Sequence, residues 1–138
     1  MDVTVSRKAH FNAAHRLYNK NWSDQENSSE FGKCSNPNYH GHNYELIVNI
    51  TGKINDETGY VYDLGKLKNL IKVEIEDRLD HKNLNLDVPF LEGIITTTEN
   101  VTIKFWEILD AAFAFAVSSA SASATQNSNQ WLRQSNIK

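Results

Sequence analysis

The stretch HGHNYELIVNIT, residues 40–51, decides the fold class because apolar and polar side chains alternate along it. A period of two places every second side chain on the same face of a β-strand. The residues that share one face here are His40, His42, Tyr44, Leu46, Val48 and Ile50. The sequence therefore predicts a strand with an apolar face that begins with two histidines.

Residues 3–16 alternate in the same way and predict a partner strand. Its core face carries Val3, Val5, Arg7, Ala9, Phe11, Ala13 and His15. Residues 17–39, between the two strands, have no clear period and are predicted to form a long loop, a feature that is usually functional in a compact domain. Antiparallel pairing across this loop would bring the end of the first strand beside the start of the second.

Helical periodicity follows in two segments, residues 63–79 and 98–115, which are separated by an irregular connection over residues 80–97. Asp63 and Thr98 are the predicted N-caps. The first apolar stripe consists of Leu64, Leu67, Ile71, Ile75 and Leu79, and the second of Val101, Phe105, Ile108, Leu109, Ala112 and Phe113. Two strands followed by two helices predict an α+β domain.

The composition changes after residue 115. Of the 23 residues from Ala116 to Lys138, 16 are Ser, Ala, Asn or Gln, and none is Asp or Glu. We therefore expect a main domain over residues 1–115 and an atypical polar tail over residues 116–138, which is poorly ordered or extends the preceding helix. Trp131, Leu132 and Ile137 are the tail residues that could anchor it.

Length and charge exclude several classes of protein. The 138 residues make one domain, and a net charge of −3 argues against nucleic-acid binding through bulk positive charge. No apolar run approaches the ~20 residues of a membrane span, and the N-terminus lacks the apolar segment of a secretory signal. The single cysteine excludes an intramolecular disulfide and fits a reducing compartment. These features predict a cytoplasmic protein with no nucleic-acid or membrane partner.

Three histidines are predicted to converge at the rim of the apolar face. His15 ends the first strand, and His40 and His42 begin the second on the same face. Three imidazoles suit Zn²⁺, and three protein ligands leave the fourth position open, as in catalytic sites. The alternative is that they are polar residues at strand ends. His10 faces the other way and is assigned no ligand role.

Cys34 and the pair Asp80–His81 are further candidates. Cys34 lies six residues before His40, where a thiolate could be a fourth ligand, a base beside the ion, or an inert thiol. A carboxylate next to a histidine can orient and charge it, so Asp80 and His81 could form a proton relay. The alternative for this pair is an exposed helix C-terminus.

Five segments of the chain together resemble the 6-pyruvoyl-tetrahydropterin synthase family, which includes the related 6-carboxy-tetrahydropterin synthases of queuosine biosynthesis. They are FNAAHRL (11–17), FGKCSNPNYHGHNY (31–44), GYVYDLGKLK (59–68), LDHKNLNLDVPF (79–90) and TTTENV (96–101). The six-residue step from Cys34 to His40 is similar to that of the pyruvoyl branch, because the carboxy-forming relatives commonly have a shorter step.

The resemblance implies a tunnelling-type fold (T-fold): a four-stranded antiparallel sheet with two helices on one face. Subunits of the family join edge to edge into trimers whose sheets close a barrel, and two trimers stack into a hexamer. Closure removes exposed strand edges. A homo-oligomer, trimer or hexamer, is therefore expected.

The resemblance also implies an activity. The enzyme would eliminate inorganic triphosphate from 7,8-dihydroneopterin triphosphate and form 6-pyruvoyl-tetrahydropterin, with Zn²⁺ as its metal and no redox cofactor. Cys34 would be the base, and Asp80 and His81, from a neighbouring subunit, its relay. The implied substrate-binding residues are Glu99 and Thr98 at the pterin end, and Arg16 and Lys33 at the triphosphate.

One feature departs from the family pattern. Family members end with two more strands, and a glutamate near the end of the third strand anchors the pterin ring. The tail predicts neither strand, and it contains no acidic residue. We therefore expect weak pterin binding and slow turnover, and two alternatives stay open: a 6-carboxy-tetrahydropterin synthase, or a non-catalytic remnant that lacks the anchoring glutamate.

Overall fold

A computed structural model describes residues 1–121 and 132–137, with side chains described for residues 1–116. The strands are β1 (Val3–His15), β2 (His40–Gly52), β3 (Lys82–Asn83) and β4 (Leu132–Ile137). The helices are α1 (Asp24–Phe31), α2 (Leu64–Ile71), α3 (Asp77–Leu79) and α4 (Thr98–Ser121). A π-helical turn, Lys72–Glu76, joins α2 to α3, and 3₁₀ turns occupy Gly32–Ser35 and Pro89–Leu91.

The strands form one sheet in the order β3-β1-β2-β4. β1 and β2 pair antiparallel from Val3 opposite Gly52 to His15 opposite His40, so both predicted strands and their pairing are confirmed. β4 lies antiparallel to the other edge of β2. β3 contributes a two-residue parallel pairing to β1, so the sheet is antiparallel except at this short edge.

Helices α2, α3 and α4 pack on one face of the sheet, as the family resemblance implies. The buried core joins the inward residues of β1 and β2 to the stripes of α2–α3 and α4. Phe11 lies at its centre, with its ring centroid 4.9 Å from that of Tyr44 and 5.9 Å from that of Phe105. Burial of such a continuous apolar surface is the main term that holds these elements together.

The helix caps confirm one prediction and correct another. Asp63 caps α2, because its carboxylate accepts hydrogen bonds from the N–H groups of Gly65 and Lys66. The cap of α4 is Thr97 rather than Thr98, since the Thr97 hydroxyl accepts the Asn100 N–H at 3.3 Å. The sequence offers three threonines in a row, and only the backbone geometry decides which one precedes the first turn.

Residues 17–39 are not all loop, since α1 lies within them. Ser23 and Glu26 form a capping box: the Ser23 hydroxyl accepts the Glu26 N–H, and the Glu26 carboxylate accepts the Ser23 N–H. That motif can be seen in the sequence as Ser-x-x-Glu. It was missed because α1 has no apolar stripe, and its one buried residue is the polar Asn27.

Asn27 holds this segment together. Its Nδ2 donates to the carbonyl oxygens of Asn19 at 3.0 Å and Ser23 at 3.0 Å, and its Oδ1 accepts the Asn19 N–H at 2.7 Å. We expect Asn27→Ala to lower the free energy of unfolding by roughly 2–4 kcal/mol, because buried backbone groups lose their partners. Urea denaturation measures the effect.

The matched control for Asn27→Ala is Ser29→Ala. Ser29 is exposed on the same helix, and surface substitutions usually change stability by less than about 0.5 kcal/mol. Equal destabilisation by the two variants would contradict the role assigned to the Asn27 amide.

The tail differs from expectation in one respect. α4 runs through Ser121 and so extends past residue 115, which is one of the two alternatives expected for the start of the tail. The prediction that no strand follows is wrong, because Leu132–Ile137 forms β4 beside β2. An open strand edge offers backbone donors and acceptors to any partner strand, so pairing outweighs the poor local signal of the tail. Trp131 lies outside the described residues.

The described helices include none with the length and apolar character that crossing a lipid bilayer requires.

Candidate metal centre

The three predicted histidines meet at one end of the β1–β2 pair. His15 and His40 are the last residue pair of that ladder, and His42 follows on the same face. Their ring centroids are 4.7 Å (His15–His40), 5.0 Å (His15–His42) and 4.7 Å (His40–His42) apart. One ring nitrogen from each histidine lies within 4.8 Å of the others, a grouping that can hold a metal ion.

The environment favours neutral imidazoles, which are the form that binds metals. His15 is buried, His40 is half-buried and His42 is exposed. Burial, followed by the neighbouring imidazoles, lowers the pKa of His15, although its hydrogen bond to Thr96 acts in the opposite direction. Burial and the nearby His42 lower the pKa of His40. At neutral pH these two side chains therefore carry a free nitrogen lone pair without charge.

Thr96 orients the deepest of the three rings. The carbonyl oxygen of Thr96 lies 2.9 Å from His15 Nδ1, so Nδ1–H donates and leaves Nε2 with its lone pair. Metal-bound histidines characteristically make such a hydrogen bond through their second nitrogen. Thr96 belongs to the motif TTTENV, but no pattern in the sequence places it beside His15, which lies 81 positions earlier in the chain.

The side chain of His40 fits a metal ion, because its polar atoms are unsatisfied without one. Both ring nitrogens of His40 are buried without a hydrogen-bond partner, and so is the Tyr44 hydroxyl. A buried imidazole without partners is costly, and coordination through one nitrogen would remove part of that cost. Burial raises the pKa of Tyr44 to about 12, which keeps its hydroxyl protonated beside the centre.

Cys34 lies in the 3₁₀ turn Gly32–Ser35 and is half-buried. The Leu17 N–H donates to the Cys34 carbonyl oxygen at 2.8 Å, which ties this turn to the chain two residues beyond His15. Gly32, where α1 ends, has φ +52°, a conformation that glycine adopts without strain. Among residues 1–116, the group of side chains that can share one metal ion consists of His15, His40 and His42 and does not include Cys34.

Asp80 and His81 form a pair, at a different place from the triad. Asp80 Oδ2 lies 2.8 Å from His81 Nδ1, and Asp80 Oδ1 accepts the Asn12 N–H at 2.8 Å. The Asn12 hydrogen bond, followed by that of His81, holds the pKa of Asp80 below its usual range. His81 has φ +59° and a side chain that is 80% exposed. A non-glycine residue in this backbone region is uncommon and often functional.

His81 and one histidine of the triad share a cavity. The cavity has a volume of about 510 Å³ and is lined by His81, His42, Asn12, Gly41 and Asn43. These last three residues alternate with the inward-facing positions of β1 and β2, and they are exposed. His81 is thus presented to the outside, in reach of another molecule.

Arg16 and Lys33 are brought together, as the predicted triphosphate site requires. Both line a cavity of about 660 Å³. Arg16 Nε donates to the Ser35 carbonyl oxygen at 2.7 Å, and its guanidinium lies 4.0 Å from the centre of the Tyr18 ring. Asp24 lines the same cavity, so the local charge is mixed.

Thr98 and Glu99 are exposed in the first turn of α4. The neighbouring Thr97 caps the helix, and Asn100 Nδ2 donates to the Ile95 carbonyl oxygen at 2.8 Å. The backbone that carries Glu99 is therefore anchored, while its carboxylate is free to meet a ligand.

A three-histidine cluster at one end of an antiparallel sheet, with helices on the opposite side of the core, defines an α+β protein with a candidate metal site. The family model described as 6-pyruvoyl tetrahydropterin synthase matches residues 4–135. The chain therefore belongs to the 6-pyruvoyl tetrahydropterin synthase family, and its fold is the T-fold.

Individual relatives agree with this assignment. The 6-pyruvoyl tetrahydrobiopterin synthase of Pongo abelii is 48% identical over 113 residues, which cover 82% of this chain and 78% of that protein. The structure of Caenorhabditis elegans 6-pyruvoyl tetrahydropterin synthase superposes with a TM-score of 0.77 and 44% identity, covering 80% of this chain and 79% of that one. A 6-carboxy-5,6,7,8-tetrahydropterin synthase of Rickettsia bellii is 30% identical over 79 residues, 57% of this chain and 49% of that protein.

Proposed function

We propose that this chain is a zinc-dependent 6-pyruvoyl tetrahydropterin synthase, which eliminates inorganic triphosphate from 7,8-dihydroneopterin triphosphate. The observation that carries the proposal is the His15, His40 and His42 triad, oriented by Thr96, in a chain of this family. The identity to pyruvoyl-forming relatives extends over more of the chain than that to the carboxy-forming relative. It supports the pyruvoyl product over the carboxy product.

The triad would hold Zn²⁺ through one nitrogen of each imidazole. Zn²⁺ bound there would act as a Lewis acid on the side-chain oxygens of the substrate and make the adjacent carbon-bound hydrogen acidic. With three protein ligands, one side stays open for the substrate. The exposed His42 marks the solvent side of the triad, and the buried His15 marks the protein side.

Cys34 would take the carbon-bound proton at its Sγ. Its turn is tied to the segment that follows His15, which fits a base beside the triad rather than a fourth ligand. A positioned base typically contributes about 10²–10⁴-fold to the rate.

Asp80 and His81 would keep the base active from a neighbouring subunit. Asp80 accepts from His81 Nδ1–H, so His81 Nε2 is left to exchange protons with a thiol. The His81 side chain is 80% exposed, which supports action on another subunit, and a trimer or hexamer would provide one. The proposed role of Cys34 needs a reduced thiol, which fits a reducing compartment such as the cytoplasm.

Arg16 and Lys33 would bind the triphosphate, and Thr98 and Glu99 would bind the pterin. Pterin rings present N–H and amino donors, for which a carboxylate is the strongest acceptor. Since the tail contains no acidic residue, Glu99 is the candidate that remains in the family motif.

We expect Glu99→Gln to raise the KM for dihydroneopterin triphosphate at least about tenfold, because a charge-assisted hydrogen bond is lost. Zinc content should not change. Glu107→Gln is the matched control, since Glu107 is exposed on the same helix and pairs with Lys104 at 2.8 Å. An equal KM for Glu99→Gln and the unchanged chain would remove Glu99 from the site.

The direct test is to incubate the zinc-loaded chain with 7,8-dihydroneopterin triphosphate and identify the products by mass spectrometry. We expect 6-pyruvoyl-tetrahydropterin and one equivalent of inorganic triphosphate. Formation of 6-carboxy-tetrahydropterin would assign the chain to the other branch. Absence of any triphosphate release would identify a non-catalytic family member.

A further inference from the structure

An aromatic ring beside two of the three histidines carries a buried hydroxyl group without a hydrogen-bond partner. It belongs to Tyr44, which is 7% exposed. Among the side chains of residues 1–116, the other buried polar atoms without a partner are the two ring nitrogens of His40. Buried polar groups in native proteins nearly always have partners. A metal ion would satisfy His40, whereas a hydroxyl needs a hydrogen-bond acceptor or donor.

The rings of Tyr44 and His15 are closer together than their positions in the ladder suggest. His15 pairs with His40 and Tyr44 pairs with Phe11, so His15 and Tyr44 are four residue pairs apart in the ladder. At about 3.4 Å per residue, this offset is roughly 14 Å along the strands. The ring centroids of His15 and Tyr44 are nevertheless only 6.1 Å apart. The Tyr44 ring therefore lies next to the triad even though its backbone is distant from His15.

Packing does not account for the hydroxyl. The Tyr44 ring stacks on Phe11 with an interplanar angle of 11°, and a phenylalanine ring could do the same. Its edge also meets the His42 ring, with centroids 5.8 Å apart and an interplanar angle of 73°. The ring of Tyr44 is packed against its neighbours, whereas its hydroxyl has no hydrogen-bond partner.

We propose that Tyr44 is a positioning residue of this site, whose hydroxyl donates a hydrogen bond to an oxygen atom of the ligand on the open side of the triad. The inference rests on the proposed metal site. It assigns a ligand class, oxygen donors such as a hydroxyl or carbonyl oxygen of the substrate, for which a phenol is a suitable partner. Tyr44 would therefore favour ligands that bring an acceptor oxygen to the triad.

The test compares Tyr44→Phe with the unchanged chain, both loaded with Co²⁺, whose visible spectrum reports its coordination. Acetohydroxamate, which binds metals through two oxygens, is the probe. We expect Tyr44→Phe to bind Co²⁺ as before and acetohydroxamate about tenfold more weakly, as the loss of one hydrogen bond to a charged ligand predicts. The midpoint of thermal unfolding of the metal-free variant should be equal or higher, because an unsatisfied buried hydroxyl has been removed.

Tyr60→Phe is the matched control, because Tyr60 is 45% exposed and lies beyond the other end of β2. It should match the unchanged chain in every measurement. Equal acetohydroxamate affinity in Tyr44→Phe would overturn the inference and leave the metal site standing. Loss of Co²⁺ from Tyr44→Phe would also overturn it, since the hydroxyl would then act on the triad. Failure of the unchanged chain to bind Co²⁺ would overturn both the inference and the proposed metal site.

Discussion

Replacement of His42 by alanine is expected to remove the metal and abolish turnover. Catalytic Zn²⁺ sites have three protein ligands and one open position. Loss of one of the three would leave two protein ligands, which we expect to be too few to retain the ion. His42 is exposed, so the substitution removes little buried surface and the fold should persist. The unchanged chain should contain about one zinc ion, and elemental analysis of the purified variant should find almost none. Circular dichroism verifies that the variant is folded.

His10→Ala is the control for this experiment. His10 also lies on β1 and is exposed, but it occupies the alternate face of the strand. The variant should retain its zinc. If His10→Ala loses the metal as completely as His42→Ala, the argument from a shared strand face is wrong.

Cys34→Ala should retain zinc and lose activity by about 10²–10⁴-fold, the usual contribution of a general base. The physical reason is that the thiol would move a proton, whereas the three histidines already provide the ligands. Half-burial of Cys34 in a 3₁₀ turn predicts only a small change in stability. The measurements are single-turnover kinetics of triphosphate release and the zinc content of the same sample.

Cys34→Ser separates basicity from shape, because it keeps a similar side-chain volume but offers a hydroxyl in place of the thiol. We expect it to resemble Cys34→Ala in rate and the unchanged chain in zinc content. Loss of zinc from either variant would make Cys34 a ligand, and the centre would then have four protein ligands and no open position.

Much of the central architecture was predictable because it depends on local periodicity. Alternation along residues 3–16 and 40–51 predicted β1, β2 and the faces of their histidines, and the structure confirms both. α1 was missed because its stability comes from a capping box and a buried amide rather than an apolar stripe. β4 was missed because residues 132–137 do not alternate between apolar and polar, whereas the structure pairs them with the edge of β2.

The sequence by itself determined the candidate ligands, since a histidine two residues from another on a strand must share its face. Only the tertiary structure decided how those ligands are supported. The carbonyl group of Thr96 reaches His15 across 81 positions. The rings of Tyr44 and His15 lie 6.1 Å apart although the two residues are four pairs apart in the ladder, and Asp80 accepts a hydrogen bond from the N–H of Asn12 on β1. Such contacts depend on which elements pack together, and local periodicity carries no information about distances between segments that are far apart in the chain.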